Sequence, residues 1–120
     1  RLDEAQLQTI NEHLLNYLDH HSAYLDPKIG LRQLAKQIDT HANYLSQVIN
    51  DLHQKNFFEF INTYRIETFK ERLQQPNAEQ FTLLSHAFES GFNSKTAFNT
   101  TFIKLEGITP SAYWKKLEKQ

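Results

Sequence analysis

Residues 81–114, FTLLSHAFESGFNSKTAFNTTFIKLEGITPSAYW, set the tightest limit on what this chain can fold into. They read as a helix, a tight turn, a second helix and the capped start of a third. Leu83, Leu84, Ala87 and Phe88 recur at the i, i+3, i+4 spacing of an amphipathic helix. Gly91 then offers a residue that takes positive φ without steric cost, which suits a helix C-terminus. Asn93 or Ser94 can cap the next helix, whose apolar side is Ala97, Phe98, Thr101, Phe102 and Leu105. Its other side is Lys95, Thr96, Asn99 and Thr100, small or polar and able to hydrogen-bond. A second helix held by a first and showing a polar face is the arrangement of a helix-turn-helix. An ordinary surface helix in a bundle would carry the same residues, so this stretch alone leaves both readings open.

An internal repeat separates them. Ala35 is followed by Leu45, Ile49 and Leu52, and Ala87 by Phe98, Phe102 and Leu105. The offsets after the turn agree, and the second turn is one residue longer. Two such units in one chain arise by chance far less often than one.

The rest of the chain supplies helices around these units. Asp3 with Gln6 has the form of a capping box, and Leu7, Ile10, Leu14, Leu18 and His21 fall on one stripe of a first helix. Pro27 biases Asp26 away from the helical region and ends that segment. Gly30 can cap a short helix from Leu31 to Ile38. Asp39, Thr40 and His41 form a polar turn into a helix from Asn43 to Leu52, with Tyr44, Leu45, Val48, Ile49 and Leu52 on its apolar side. Between the repeats, Asn56 to Gln75 carries two apolar stripes, Phe57, Phe60, Ile61 and Tyr64, then Ile66, Phe69 and Leu73. This predicts a connecting helix of about five turns, roughly 30 Å long, closed by Pro76 and Asn77. One turn of B-DNA is ~34 Å, so a spacer of this length is pertinent.

Composition bears on the functional classes. Three glycines and three prolines in 120 residues argue against a sandwich or barrel, which needs many turns. The absence of Cys excludes disulfides, Cys-based zinc sites and thiol catalysis. No apolar run approaches the ~20 residues of a membrane helix, and no signal peptide is visible. A chain that begins with Arg and contains no Met is expected to be a piece of a larger protein. The net charge of −1 is uneven: residues 1–30 carry net −3 and residues 31–120 net +2. A mildly basic second part permits nucleic-acid binding without demanding it.

Other groupings have plainer explanations. His13, His20 and His21 lie on or near one helix, but a metal site needs three or four groups in suitable geometry, so no metal or cofactor is expected. Ser85, His86 and Glu89 are triad residue types, yet on one short helix they cannot converge on a shared nucleophile, and no enzyme activity is expected. Beside Ala87, His86 reads as packing. Lys115, Lys116 and Lys119 are phosphate contacts or a solvated tail.

LRQLAKQIDTHANYLSQVI, then FFEFINTYRIETFKERL, then SGFNSKTAFNTTFIKLEGITPSAY resemble the DNA-binding domain of AraC-type transcription regulators. The resemblance covers residues 31–116, and its GF…F..F…G.TP..Y pattern is specific to that family. It implies an all-α fold of two helix-turn-helix units joined by a long connecting helix. Residues 31–120 would form the DNA-binding domain, with 31–56 the first unit, 57–75 the connecting helix, and 81–117 the second unit and final helix. Residues 1–30 would be a helical extension. The implied function is sequence-specific binding of double-stranded DNA in transcription regulation, one recognition helix of each unit in the major groove. Residue by residue, the DNA-binding positions fall on Asn43, Ser46 and Gln47 in the first unit and on Lys95, Thr96, Asn99 and Thr100 in the second.

The resemblance also implies RNA polymerase as a partner, a sensor or effector domain elsewhere in a longer chain, and a cytoplasmic location. The N-terminal helix and AYLDPKIGL are similar to a subgroup in which the full-length protein is often tethered to the membrane. The chain departs from the family where Asn50, Asp51 and Trp114 replace basic residues and where Arg is common near Gln47. Asp51 would be repelled by a phosphate backbone. That motivates the alternative reading, a helical protein-interaction module with a decayed DNA-binding surface.

Overall fold

The computed structural model describes all residues from Arg1 to Gln120 and is wholly helical. Seven α-helices follow in order: α1 (Glu4–His21), α2 (Leu31–Gln37), α3 (Ala42–His53), α4 (Phe57–Leu73), α5 (Leu83–Glu89), α6 (Lys95–Glu106) and α7 (Pro110–Glu118). Short 3-10 turns lie at Ala23–Leu25 and Ala78–Gln80. The chain divides into two compact units, Arg1–Ile61 and Asn62–Gln120, with the boundary inside α4.

In the first unit, α1 and α2 both pack on α3. The helix starts and stops are local in origin. Asp3 accepts from the Gln6 amide while the Gln6 side chain accepts from the Asp3 amide, a complete capping box. Ser22 ends α1 in the left-handed region at φ 47°. Leu14 and Leu18 of α1, Leu34 and Ala35 of α2, and Leu45, Val48 and Ile49 of α3 are buried. Each large apolar side chain removed from water contributes about 1.5–3 kcal/mol before entropy is charged against it. A second reciprocal box starts α4, where Asn56 accepts from the Glu59 amide at 2.8 Å and Glu59 accepts from the Asn56 amide at 2.9 Å.

The second unit is built on aromatic rings. Ile66, Phe69, Leu73, Ala87, Phe92, Phe98 and Phe102 form one buried cluster, flanked by Leu83, Tyr113, Trp114 and Leu117. Phe98 sits 4.7 Å from Phe69 and 5.3 Å from Phe92 by ring centroid, in the tilted and edge-on geometries that aromatic pairs favour. Thr82, Ser94 and Thr109 each cap the following helix by accepting an amide three residues on. Pro110, at the first position of α7, lacks an N–H that would in any case be unpaired there. Lys70 on α4 bridges Glu67 and, at 3.3 Å, Glu106 at the end of α6. Burial pushes the Lys70 ammonium down, but its bonds to Glu106 and the charges of both carboxylates outweigh that and raise it above the ordinary lysine value.

Several side chains face otherwise than their spacing predicts. Phe88 is 45% and Leu105 42% exposed, and Ala97 and Tyr44 are exposed as well. His21 does not join the stripe of Leu14 and Leu18; it is exposed and stacks on Tyr17 at 4.6 Å. The cause is the same in each case. The buried arc of a helix is only as wide as its neighbours make it, and here α6 is covered over Phe98 and Phe102 but not at the edges of its apolar side.

Candidate nucleic-acid interface

Each unit contains a helix pair joined by a turn of the same construction. In the first, Asp39 takes φ 59° and the Thr40 amide donates back to the Ala35 carbonyl at 2.9 Å. In the second, Gly91 takes φ 107° and the Phe92 amide donates back to the Ala87 carbonyl at 3.2 Å. A left-handed residue followed by a long back-bond is the Schellman ending of a helix. The caps of α3 and α6, His41 and Ser94, then stand two and three residues beyond the left-handed positions, so the second turn is one residue longer.

These turns hold α3 and α6 with one side buried and the other open. On α3, Asn43 is exposed and Ser46 and Gln47 are partly exposed, one helical turn from Asn43. Ser46 is tied to Asn50, whose side-chain amide donates to the Ser46 carbonyl at 2.9 Å and lies 3.4 Å from its hydroxyl. On α6, Lys95, Thr96 and Thr100 are exposed and Asn99 is half-buried. Asn99 and Lys95 also border an open groove of about 500 Å³ that runs to Thr82, Thr109 and Pro110, the starts of α5 and α7. Lys115, Lys116 and Lys119 are exposed at the end of the chain.

Residues 34–116 match the helix-turn-helix domain family over their whole length. The chain therefore belongs to the AraC-type helix-turn-helix family. A relative from Bacillus subtilis (strain 168), described as the uncharacterized HTH-type transcriptional regulator YtdP, is 24% identical over 110 residues, covering 92% of this chain. The chain spans only 14% of that relative's length. Among solved structures, a protein of unknown function from Listeria innocua is similar at a TM-score of 0.73 and 28% identity, over 88% of this chain and 95% of the other. The C-terminal domain of the two-component response regulator yesN from Fusobacterium nucleatum is similar at a TM-score of 0.66 and 26% identity, over 88% and 98%.

The histidine and serine that resemble catalytic residue types make structural contacts on this AraC-type scaffold. His86 is 2% exposed; its Nδ1 accepts from Arg72 Nε at 3.2 Å and its Nε2 donates to the Ala78 carbonyl at 2.9 Å. An arginine can only donate, so Nδ1 is the acceptor and Nε2 carries the proton. Both ring nitrogens are thus occupied, one by Arg72 of α4 and the other by the Ala78 turn. The Ser85 amide caps onto Thr82, and no group of three or more His, Asp or Glu is placed to hold a metal ion. His53, which bonds Asn11 of α1 at 2.7 Å, is lowered from its ordinary value by burial and then by the Lys55 charge.

Two features of the α3 face lie outside the predicted set. Asn50 continues the 43, 46, 47 stripe, and its helical spacing was there to be read. The other has no local signal: Arg1 pairs with Asp51 at 2.6 Å and the Leu2 amide donates to Gln47 at 3.3 Å, across a separation of 45–50 residues.

Proposed function

We propose that this chain is a sequence-specific double-stranded-DNA-binding domain of a transcription regulator, with α3 and α6 as recognition helices, each entering a major groove. One observation carries the reading: the same helix-turn-helix ending occurs twice, and after each the second helix keeps an open polar face opposite a buried apolar one. Asn43, Ser46 and Gln47 on α3, and Lys95, Thr96, Asn99 and Thr100 on α6, are the residues assigned to DNA. Amide side chains suit the N6 and N7 edge of adenine, and Lys95 can donate to guanine O6 and N7. Residues 1–30 are assigned as a helical extension and 31–120 as the DNA-binding domain. The family membership and the regulator relatives support this reading.

In a longer protein, RNA polymerase and a sensor or effector domain are the partners this role calls for, and the domain would act where the chromosome is. No helix of the chain is long and apolar enough to cross a membrane.

The test is a fluorescence-anisotropy titration with a pool of random duplexes at two or more salt concentrations, followed by selection of bound sequences. With about four to six phosphates neutralised, log affinity should fall with log salt at a slope near −4 to −5, taking ~−0.9 per phosphate. Absence of binding at low salt would favour the alternative, a protein-interaction module. A slope near −10, typical of a strongly basic dimeric regulator, would contradict the estimate of phosphates.

A further inference from the structure

Asp51 stands on the recognition helix α3 with a charge that a phosphate backbone repels, and the structure gives that charge a use. Its Oδ2 pairs with the Arg1 guanidinium at 2.6 Å and lies 3.4 Å from Gln47 Nε2, one helical turn away. On the other side of the same amide, the Leu2 backbone N–H donates to Gln47 Oε1 at 3.3 Å. The Gln47 side chain is thus bracketed by a donor at its oxygen and an acceptor at its nitrogen. Rotating the amide by half a turn would set its NH2 against the Leu2 N–H and its oxygen against the Asp51 carboxylate. Both contacts would be repulsive, so the bracket specifies one orientation.

We propose that Asp51 is a positioning residue for Gln47, holding its amide in the one orientation that reads adenine, and that Arg1 acts through Asp51. This rests on the assignment of Gln47 to DNA made above. An amide oxygen has two lone pairs and an amide nitrogen two hydrogens, so the bracket leaves one acceptor site and one donor site for a ligand. The adenine edge offers the matching pair, the N6 donor and the N7 acceptor. The two long bonds steer the amide without consuming it. Arg1 cancels the carboxylate charge that would otherwise repel the duplex, and it keeps the carboxylate turned toward Gln47. The Asp51 side chain, only 29% exposed, is sheltered enough for that geometry to persist.

The experiment takes the selected duplex and measures the ratio of dissociation constants for adenine against the other three bases at the position Gln47 reads. It compares the unsubstituted chain with Gln47→Ala, Asp51→Ala, Arg1→Ala and the Arg1→Ala, Asp51→Ala double variant. Gln47→Ala should abolish the adenine preference. Asp51→Ala should reduce it by about 3- to 10-fold, part of what a bidentate amide–adenine pair confers, and leave selectivity at the Lys95 end unchanged. The double variant should match Asp51→Ala, because Arg1 works through the carboxylate. If Gln47→Ala removes the preference and Asp51→Ala does not, the positioning role is overturned and the base contact stands. If Asp51→Ala shifts affinity for every sequence equally, in either direction, Asp51 is a charge or a tether and the proposal is overturned. If Gln47→Ala leaves the preference intact, the base contact itself is wrong and the positioning role falls with it.

Discussion

Gly91 and Asp39 occupy the same place in the two repeats, and substituting each should give unequal results. Gly91 lies at φ 107°, beyond the narrow left-handed window near 50–70° that L residues tolerate. It is buried, and its N–H donates to the Phe88 carbonyl at 3.1 Å, so the backbone has little freedom to relieve strain by shifting. An alanine there costs about 1–3 kcal/mol for the backbone conformation, offset by about 0.4–1 kcal/mol from the smaller entropy of the unfolded chain. The net for Gly91→Ala is a loss of about 1 kcal/mol or somewhat more, and Gly91→Val should lie in the upper part of a ~1–3 kcal/mol range because β-branching tightens the restriction. Asp39 lies at φ 59°, inside that window, at an exposed position where Asp is tolerated. In Asp39→Gly, relief of about 1 kcal/mol of strain is nearly cancelled by the added unfolded-state entropy, leaving a change within about 0.5 kcal/mol. Urea unfolding followed by Trp114 emission isolates the second unit, since Trp114 is the sole tryptophan and packs on that unit's core. Circular dichroism follows both units together. Equal unfolding midpoints for Gly91→Val and the parent chain, or a loss above about 1 kcal/mol for Asp39→Gly, would refute this account of the turns.

His86→Leu should destabilise the second unit by about 2–4 kcal/mol, because it leaves Arg72 Nε and the Ala78 carbonyl without their partner at roughly 1–3 kcal/mol each; the Trp114 transition reads this, and an unchanged midpoint would show the two bonds to be dispensable. The first unit should weaken in mild acid through His53. Its folded pKa is lowered from 6.5 by burial and then by Lys55, so the unfolded chain binds the proton more readily; the contribution is complete above 6.5 and is lost as pH falls from 6.5 toward the folded value. Urea transitions followed by tyrosine emission at several pH values should show this slope in the parent and a shallower one in His53→Gln, and identical slopes would contradict it. For recognition, Gln47→Ala and Lys95→Ala should each relax base selectivity at one end of an asymmetric site, adenine for Gln47 and guanine for Lys95, by about 1–3 kcal/mol. Sequence selection with each variant checks this, and uniform weakening on all duplexes would make the residue a phosphate contact.

Helix identity in this chain was legible because its determinants are short-range. The Asp3–Gln6 box spans one turn, Thr109 and Pro110 start α7 together, and Gly91 sits where only a few backbone angles can end α5. The repeat was legible for the same reason, since Ala35 and Ala87 each receive a back-bond from five residues on. The α4 start was equally local, Asn56 with Glu59, and its box could have been read from spacing alone. The polar side of α6, Lys95, Thr96, Asn99 and Thr100, follows from helical spacing, whereas Asn43, Ser46 and Gln47 on α3 were assigned through the family resemblance.

Tertiary structure decided what spacing does not encode, namely which part of each apolar arc a neighbour covers. Phe88 and Leu105 satisfy the helical pattern and still remain in solvent, while Phe92, in the turn between α5 and α6, enters the core. His86 is polar and buried because Arg72, 14 residues away, and the Ala78 carbonyl meet both its ring nitrogens. Asp51 reads as a defect on a helix proposed to face DNA until the fold brings Arg1 to it across 50 residues. Periodicity states which side chains can be buried together, but desolvation and charge pairing depend on the atoms that arrive from elsewhere in the chain.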